Sequence, residues 1–315
     1  MKYAVLDLGT NTFNLLVAES KEKNKYQIIL NTKEGVKLGE GGINQKFITE
    51  AAFLRGISAI SRHMEKIKNL KVDDIKAIAT SAIRDATNGQ EFLCALKQKF
   101  NLDVTIISGD TEAEMIYLGV KQTLPDFDQI FMILDIGGGS NEFIIADNSR
   151  ILWKKSFPIG MARLLERFNP SDPINTEEIN RIDSYLEEEL IDLFETVKTL
   201  KPEILIGASG SFDSFVKMLI SIKKVNHTEG NIFHHIPYQT IEYLNQRLII
   251  STKKEREMIA GLEPVRKDMI VLASIFVMFV LKKTGIKKIY QSSYSLKEGA
   301  IYQMVEKEGR EGKRK

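Results

Sequence analysis

The sequence predicts an α/β fold with two similar domains, and three observations favour this class. A strand, an acidic glycine-containing turn and two further strands follow one another twice, with Asp7 and Asp135 at equivalent points 128 residues apart. This interval is about one domain length and far exceeds the ~20–50 residues of a solenoid repeat. The length of 315 residues also suits two domains. Two such domains facing each other would bring both glycine turns to one cleft.

The first half of the chain is predicted to hold five strands and three helices. Short apolar runs bounded by turn residues predict strands at 3–8, 13–19, 26–30, 75–79 and 104–107. The first helix opens at Thr49 with Glu50 in its first turn, and apolar residues recur at helical spacing from Phe53 to Ile67. The other two helices are predicted at 90–100 and 111–123.

The second half repeats the three-strand pattern and then continues with helices. The repeated strands are predicted at 130–135, 142–146 and 151–156, and two later strands at 204–206 and 287–290. Helices are predicted at 163–168, 176–200, 212–222, 238–249, 265–283 and 296–306. The segments near Pro170 and Pro173, and residues 226–231, are predicted to be surface loops.

The longest apolar run, from Met269 to Leu281, is predicted to be a buried helix. At ~1.5 Å per residue it would span roughly 20 Å, which is short of a ~30 Å bilayer core. Asp7 interrupts the apolar start of the chain, where a signal peptide would continue. We therefore expect a cytoplasmic protein with no membrane partner.

Composition limits the partners and the kinds of site. The single cysteine, Cys94, excludes disulfides within the chain and cysteine-rich zinc sites. Three histidines, at positions 227, 234 and 235, are predicted to lie in a loop without matching acidic residues, which favours surface or packing roles. A formal net charge of +2 gives no overall attraction for polyanions, so we expect no nucleic-acid partner. An anionic ligand must then be held by local groups.

Three turns rich in Gly, Ser or Thr follow apolar strands, at 7–12, 135–140 and 207–211. Without a Cβ, glycine lets the backbone approach an anion so that successive N–H groups face phosphate oxygens. A single turn of this kind is also compatible with a plain hairpin, but three together favour phosphate binding. None fits the P-loop pattern. The candidate phosphate-binding residues are Gly9, Thr10, Asn11, Thr12, Gly137, Gly138, Gly139, Ser140, Ser209, Gly210 and Ser211.

These segments, together with 79–88 and 108–114, resemble the exopolyphosphatase/guanosine pentaphosphate phosphohydrolase (Ppx/GppA) family in a short, two-domain form. The resemblance runs from Asp7 to about Gly299. It implies two ribonuclease H-like domains of the actin/Hsp70/sugar-kinase type with an interdomain cleft. Domain I is expected at 1–118, with the C-terminal helix, about 298–315, packing back on it, and domain II at 119–297.

The resemblance also assigns the catalytic carboxylate to Glu112, as the general base that accepts a proton from the attacking water. On sequence alone, the pattern favours a first-turn acid that interacts with the helix dipole, and only the resemblance favours the catalytic role of Glu112. Arg84 would join the phosphate-binding residues and neutralise charge on the transferred phosphoryl group. The competing interpretation is a surface ion pair with Asp85.

The family's metal positions fall on Asp135 and Glu142, whose hard oxygen ligands suit Mg²⁺ or another divalent cation. Asp7, at the equivalent point of the first domain, is a secondary candidate. Three positions depart from the family pattern and concern substrate preference and rate: Glu114 and Lys297 where arginine is usual, and Asn14 where arginine is frequent.

The resemblance implies an exopolyphosphatase that releases terminal orthophosphate from inorganic polyphosphate by metal-assisted hydrolysis. Guanosine pentaphosphate (pppGpp), losing its 5′ γ-phosphate, is the alternative substrate, because the phosphate end looks alike to the loops. A kinase-like phosphotransferase and a non-catalytic phosphate-chain sensor are further alternatives. A homodimer is an expectation of the resemblance alone.

Overall fold

In the computed structural model, which describes residues 1–22, 25–226 and 230–311, the chain forms two units. Unit 1 comprises Met1–Gln122 and Tyr294–Lys315, and unit 2 comprises Thr123–Ser293. Each unit has its own apolar core and its own mixed sheet with helices. The predicted α/β fold of two ribonuclease H-like domains is therefore confirmed.

Unit 1 contains a five-stranded sheet of order β3-β2-β1-β4-β5. Its strands are β1 (Lys2–Leu8), β2 (Thr12–Glu22), β3 (Lys25–Gly35), β4 (Asp74–Ala79) and β5 (Val104–Ile106). Its first helices are α1 (Glu50–Leu70), α2 (Ser81–Asp85), α3 (Gly89–Phe100) and α4 (Gly109–Lys121). Strands β1, β4 and β5 run parallel, while β2 and β3 pair antiparallel. The turns after β1, β4 and β5 thus lie at one edge of the sheet.

Unit 2 contains a six-stranded sheet of order β10-β11-β9-β6-β7-β8. Its strands are β6 (Phe131–Ile136), β7 (Asn141–Ala146), β8 (Ile151–Phe157), β9 (Ile204–Ala208), β10 (Phe233–Pro237) and β11 (Lys288–Ser292). Its helices are α5 (Met161–Phe168), α6 (Thr176–Glu189), α7 (Ile191–Leu200), α8 (Ser209–Ser221), α9 (Tyr238–Ile249), α10 (Lys253–Glu257) and α11 (Ile270–Thr284). Read from β8, this order repeats that of unit 1 and adds β10 at the edge, which agrees with the duplicated sequence pattern.

Helix α11 confirms the prediction of a buried helix, since every residue from Ile270 to Leu281 is buried. Within the described ranges, no helix has the length and apolar character needed to cross a membrane.

The last helix, α12 (Leu296–Glu311), packs against α4 within unit 1. A Cβ added to Gly119 of α4 would lie 1.9 Å from the carbonyl oxygen of Ser295, and one added to Gly299 would lie 1.9 Å from that of Met115. The two backbones are therefore in direct contact, which only glycine allows at these positions. Because α4 also carries Glu112, this contact fixes the helix on which the predicted base lies.

The structure corrects three sequence predictions. The helix predicted at 176–200 is two helices that meet at Leu190, whose side chain is fully buried in the core. The strand predicted at 26–30 extends from Lys25 to Gly35, with alternating burial at the sheet edge. His234 and His235 lie on strand β10 rather than in a loop, whereas position 227 lies outside the described residues.

Candidate active site

In unit 2, the turn after β6 is held from one side by the start of α5. The backbone N–H of Met161 donates to the carbonyl oxygen of Gly137 at 3.0 Å, and that of Ala162 donates to Gly138 at 2.8 Å. Successive N–H groups at a helix N-terminus are free to donate outside the helix. Here they bind the carbonyl side of the glycine turn, so α5 fixes the conformation of the turn.

The third carbonyl of this turn, that of Gly139, accepts two hydrogen bonds. The donors are the N–H of Gly160 at 3.3 Å and Nε of Arg163 at 2.8 Å. A Cβ on Gly160 would lie 2.4 Å from the carbonyl carbon of Gly138. The close approach of these two backbone segments therefore requires glycine at position 160.

The N–H groups of this turn face away from α5. In a trans peptide the C=O and the following N–H point in opposite directions. Carbonyls bound to α5 therefore direct the N–H groups of Gly138, Gly139 and Ser140 to the other side. Across the described part of the chain, none of these three N–H groups donates a hydrogen bond. Three such N–H groups on one face form a concavity suited to an anion.

Asp135 and Glu142 lie directly opposite each other on the antiparallel strands β6 and β7. Both are buried, with 6% and 2% of their surface exposed. Ser209 donates from its hydroxyl to Oδ2 of Asp135 at 2.5 Å, and Ser156 donates to Oε1 of Glu142 at 2.7 Å. Side chains opposite each other on one face have Cβ atoms ~4.5–5.5 Å apart, so two buried carboxylates are close neighbours.

This pair suits a hydrated divalent cation. Mg²⁺ is typically held by one or two carboxylates, with water and phosphate oxygens as its remaining ligands. Over residues 1–22, 25–226 and 230–311, no cluster of three or more His, Cys, Asp or Glu side chains could hold a metal ion. Asp135 and Glu142 therefore fit an ion that shares its coordination with a ligand, and do not form an all-protein cage. Asp7 belongs to unit 1, where Asn14 donates to its Oδ2 at 2.8 Å.

The third predicted turn is shorter than expected, because Ser209, Gly210 and Ser211 form the first turn of α8. Ser209 has φ = +65°, a left-handed conformation that is unfavourable for a residue with a Cβ. Its hydroxyl contact with Asp135 joins this helix start to the end of β6. Two of the three predicted phosphate loops therefore meet within unit 2.

The corresponding turn of unit 1 has the same construction. The N–H of Gly9 donates to the carbonyl of Thr12 at 3.2 Å, as that of Gly137 does to Ser140 at 3.1 Å. The carbonyls of Thr10 and Asn11 accept hydrogen bonds from backbone N–H groups of residues 36–39, at 2.7 to 3.4 Å. A second segment thus covers the carbonyl side in this unit too, and the predicted loop at 7–12 is an ordered turn.

Glu112 and Arg84 meet at the edge of the sheet in unit 1. Ser108 caps α4 by accepting from the N–H of Thr111 at 3.1 Å, which places Glu112 in the first turn of the helix. Nη1 of Arg84 donates to Oε2 of Glu112 and to the carbonyl of Ile107, both at 3.0 Å. Glu112 is only 7% exposed, and the guanidinium of Arg84 is a charged partner within hydrogen-bond distance.

The alternative contact of Arg84 is also present but longer. Its Nε lies 3.6 Å from Oδ1 of Asp85, which accepts a hydrogen bond from Ser81 at 3.2 Å through its other oxygen. Arg84 therefore links both carboxylates and is not confined to a surface ion pair with its neighbour in sequence.

A cation that the sequence did not predict lies beside the third turn. A Cβ added to Gly210 would lie 1.6 Å from Nη2 of Arg266, so the guanidinium covers that glycine. The side chain of Arg266 is 16% exposed, and its Nε lies 3.5 Å from Oε2 of Glu263. Arg266 stands 56 positions after Gly210 and follows no local pattern, so only the fold could reveal the contact.

Known proteins share the sequence pattern and the fold of this chain. The sequence model of the Ppx/GppA phosphatase family matches residues 16–308. The crystal structure of an exopolyphosphatase from Cytophaga hutchinsonii is 36% identical, with a TM-score of 0.94 and 98% of each chain covered. A Ppx/GppA family member from Aquifex aeolicus is 26% identical, with a TM-score of 0.78 and 98% of each chain covered.

A curated protein of another kind also matches. The bifunctional 3-dehydroquinate synthase/phosphatase of Fusobacterium nucleatum is 32% identical over 96% of this chain. The match covers 46% of that protein, so the present chain spans about half of this relative.

Proposed function

Because this chain belongs to the Ppx/GppA phosphatase family, we propose that it is an exopolyphosphatase that releases terminal orthophosphate from inorganic polyphosphate. The similarity to the Cytophaga hutchinsonii exopolyphosphatase over 98% of both chains favours polyphosphate as the substrate. The observation that carries the hydrolytic part of the proposal is the buried carboxylate of Glu112, held by Arg84 at 3.0 Å.

In the proposed reaction, the oxygen of a water molecule forms a bond to the terminal phosphorus as the bond to the bridging oxygen breaks. Glu112 accepts the proton that the water loses. Orthophosphate leaves, together with a chain that is one phosphate shorter. Arg84 donates to Oε2 of Glu112 at 3.0 Å and so fixes the position of the proposed base.

The remaining groups bind and neutralise phosphate charge. The N–H groups of Gly138, Gly139 and Ser140 are donors already fixed in position, so they need no reorganisation when phosphate binds. Asp135 and Glu142 would hold a divalent cation, which when bound offsets negative charge on phosphate oxygens.

The experiment measures phosphate release from long polyphosphate and from pppGpp, on one preparation with Mg²⁺ present. We expect a higher kcat/KM for polyphosphate, and a fall in kcat of at least ~10²-fold in Glu112→Gln because its general base is lost. Glu91→Gln is the matched control, since Glu91 is an exposed glutamate in the first turn of α3 and its variant should keep wild-type kcat.

Other results would change the proposed substrate or contradict the proposed function. A higher kcat/KM for pppGpp would make the nucleotide the substrate. Polyphosphate binding without turnover would indicate a sensor, and ATP consumption that depends on an added acceptor would indicate a phosphotransferase. If Glu112→Gln released phosphate as fast as wild type, Glu112 would not be the base.

A further inference from the structure

Arg163 lies behind the glycine turn of unit 2, on the side opposite its N–H groups. Its Nε donates to the carbonyl oxygen of Gly139 at 2.8 Å, and the N–H of Gly160 reaches the same oxygen at 3.3 Å. Arg163 is the third residue of α5, whose first two N–H groups bind the neighbouring carbonyls of the turn. The guanidinium thus completes a set of donors along the carbonyl side.

The segment that leads to Arg163 is itself firmly held. Nδ2 of the fully buried Asn141 donates to the carbonyl of Ile159 at 3.0 Å. Gly160 follows, at the close approach to Gly138 that excludes any side chain. The backbone therefore enters α5 in one fixed position, and Arg163 meets Gly139 from there.

A cation on this carbonyl affects the opposite end of the same peptide group. A hydrogen bond from a charged donor is shorter and stronger than a neutral one. Linked hydrogen bonds polarise one another, so a donor bound at the C=O strengthens the N–H as a donor. The N–H of that peptide belongs to Ser140, one of the three that face the proposed phosphate.

We propose that Arg163 is a positioning residue for phosphate binding, acting through the Gly139–Ser140 peptide. This proposal rests on the proposed function only in assigning phosphate to the turn. Arg163 fixes the orientation of the peptide and strengthens the N–H of Ser140 toward an anion. Because the turn contacts phosphate before and during the reaction, its effect falls on binding, and so on KM more than on kcat.

The test measures binding of inorganic phosphate and tripolyphosphate by calorimetry in a Glu112→Gln background, which suppresses turnover. Adding Arg163→Gln should weaken tripolyphosphate binding about tenfold, the loss typical of a charge-assisted hydrogen bond. Arg167→Gln is the matched control. Arg167 lies on the same helix, but its guanidinium stacks 4.2 Å from the ring centroid of Tyr185, and its variant should bind like the parent.

A kinetic measurement separates positioning from general damage. In the otherwise wild-type chain, Arg163→Gln should raise KM for polyphosphate about tenfold, while kcat changes less than about threefold. Misfolding would instead lower apparent kcat at constant KM, because fewer molecules would be active. If Arg163→Gln does not fold, Arg163→Lys replaces it, with a smaller loss of affinity expected because the charge remains.

Affinity unchanged by Arg163→Gln, or by Arg163→Lys where that variant is used, overturns the inference. The inference is also overturned if the Glu112→Gln protein, the parent of the double variant, binds neither anion. Failure of the proposed function has a different signature. In that case the wild type would not release phosphate from polyphosphate, yet the parent would still bind tripolyphosphate and Arg163→Gln would still weaken it.

Discussion

Nδ2 of Asn14 donates a hydrogen bond of 2.8 Å to Oδ2 of Asp7, across the first two strands of unit 1. The equivalent cross-strand position in unit 2 holds Asp135 and Glu142. An amide and a carboxylate attract each other directly, whereas two buried carboxylates repel unless a proton or a cation lies between them. The duplicated fold thus offers an internal reference for the proposed cation site.

Glu142→Gln reproduces in unit 2 the amide–carboxylate pair of unit 1. In metal-free buffer the variant should unfold at a higher temperature than wild type, because the repulsion with Asp135 is removed. Mg²⁺ at 100 times its Kd should stabilise wild type by about 2.7 kcal/mol and the variant far less. Thermal unfolding with EDTA and with Mg²⁺ measures both effects, with Glu91→Gln as the control. An equal response to Mg²⁺ in Glu142→Gln would contradict the assignment.

Ser209 combines a left-handed backbone with a hydroxyl contact to Asp135, and two substitutions separate these features. Ser209→Ala loses the hydrogen bond and keeps the strain, whereas Ser209→Gly loses the hydrogen bond and removes the strain. The free energy of unfolding of Ser209→Gly should therefore exceed that of Ser209→Ala by about 1 kcal/mol. Denaturant unfolding of the two variants measures the difference. If Ser209→Ala were as stable as Ser209→Gly or more stable, the backbone conformation at φ = +65° would carry no energetic cost in the protein.

Local signals explain what the sequence could predict. The repeated strands have apolar runs of strand length, and the glycines at 137–139 mark their turn directly. The break at Leu190 was missed because no Gly or Pro marks it and both flanking segments have helical periodicity. Leu190 is fully buried, so core packing decides where the first helix ends.

In the candidate site too, the sequence identified some residues, whereas their contacts became visible only in the fold. Glu112 and Arg84 were identified through the family resemblance, but their hydrogen bond joins residues 28 positions apart and required the fold. The contacts of Arg163 with Gly139 and of Arg266 with Gly210 were not foreseen at all. An arginine has no sequence signature that names the carbonyl or the glycine it will contact.

The contact between α4 and α12 predicts a large effect from one methyl group. Gly119→Ala places a Cβ 1.9 Å from the carbonyl oxygen of Ser295, a backbone atom that cannot move without shifting α12. We expect a loss of about 3 kcal/mol, at the upper end of overpacking effects, and a fall in kcat because α4 also carries Glu112. Denaturant unfolding and phosphate release measure the two effects. Lys121→Gln, an exposed change on the same helix, should leave both near their wild-type values, and a stable, active Gly119→Ala would show that the helices can separate.

His63 is a fully buried histidine on α1. Its Nε2 donates to the carbonyl of Phe13 at 3.0 Å. Burial lowers the pKa of His63; the hydrogen bond to Phe13 and the charge of Glu34 act in the opposite direction, while Lys66 and Arg62 add to the decrease. The folded state therefore binds a proton at His63 less readily than the unfolded state does.

The free energy of unfolding should fall as the pH drops below about 6.5, the pKa of an unperturbed histidine. With a lowered folded pKa, the contribution of His63 is complete above that pH and is lost toward acid, by at most about 1.4 kcal/mol per pH unit. His63→Gln keeps an N–H donor for Phe13 and cannot titrate, so its free energy of unfolding should fall less steeply between pH 7 and 5. His235→Gln, at an exposed histidine on β10, should keep the wild-type slope. Denaturant unfolding across this range measures all three proteins, and equal slopes for wild type and His63→Gln would mean that His63 does not govern the acid response.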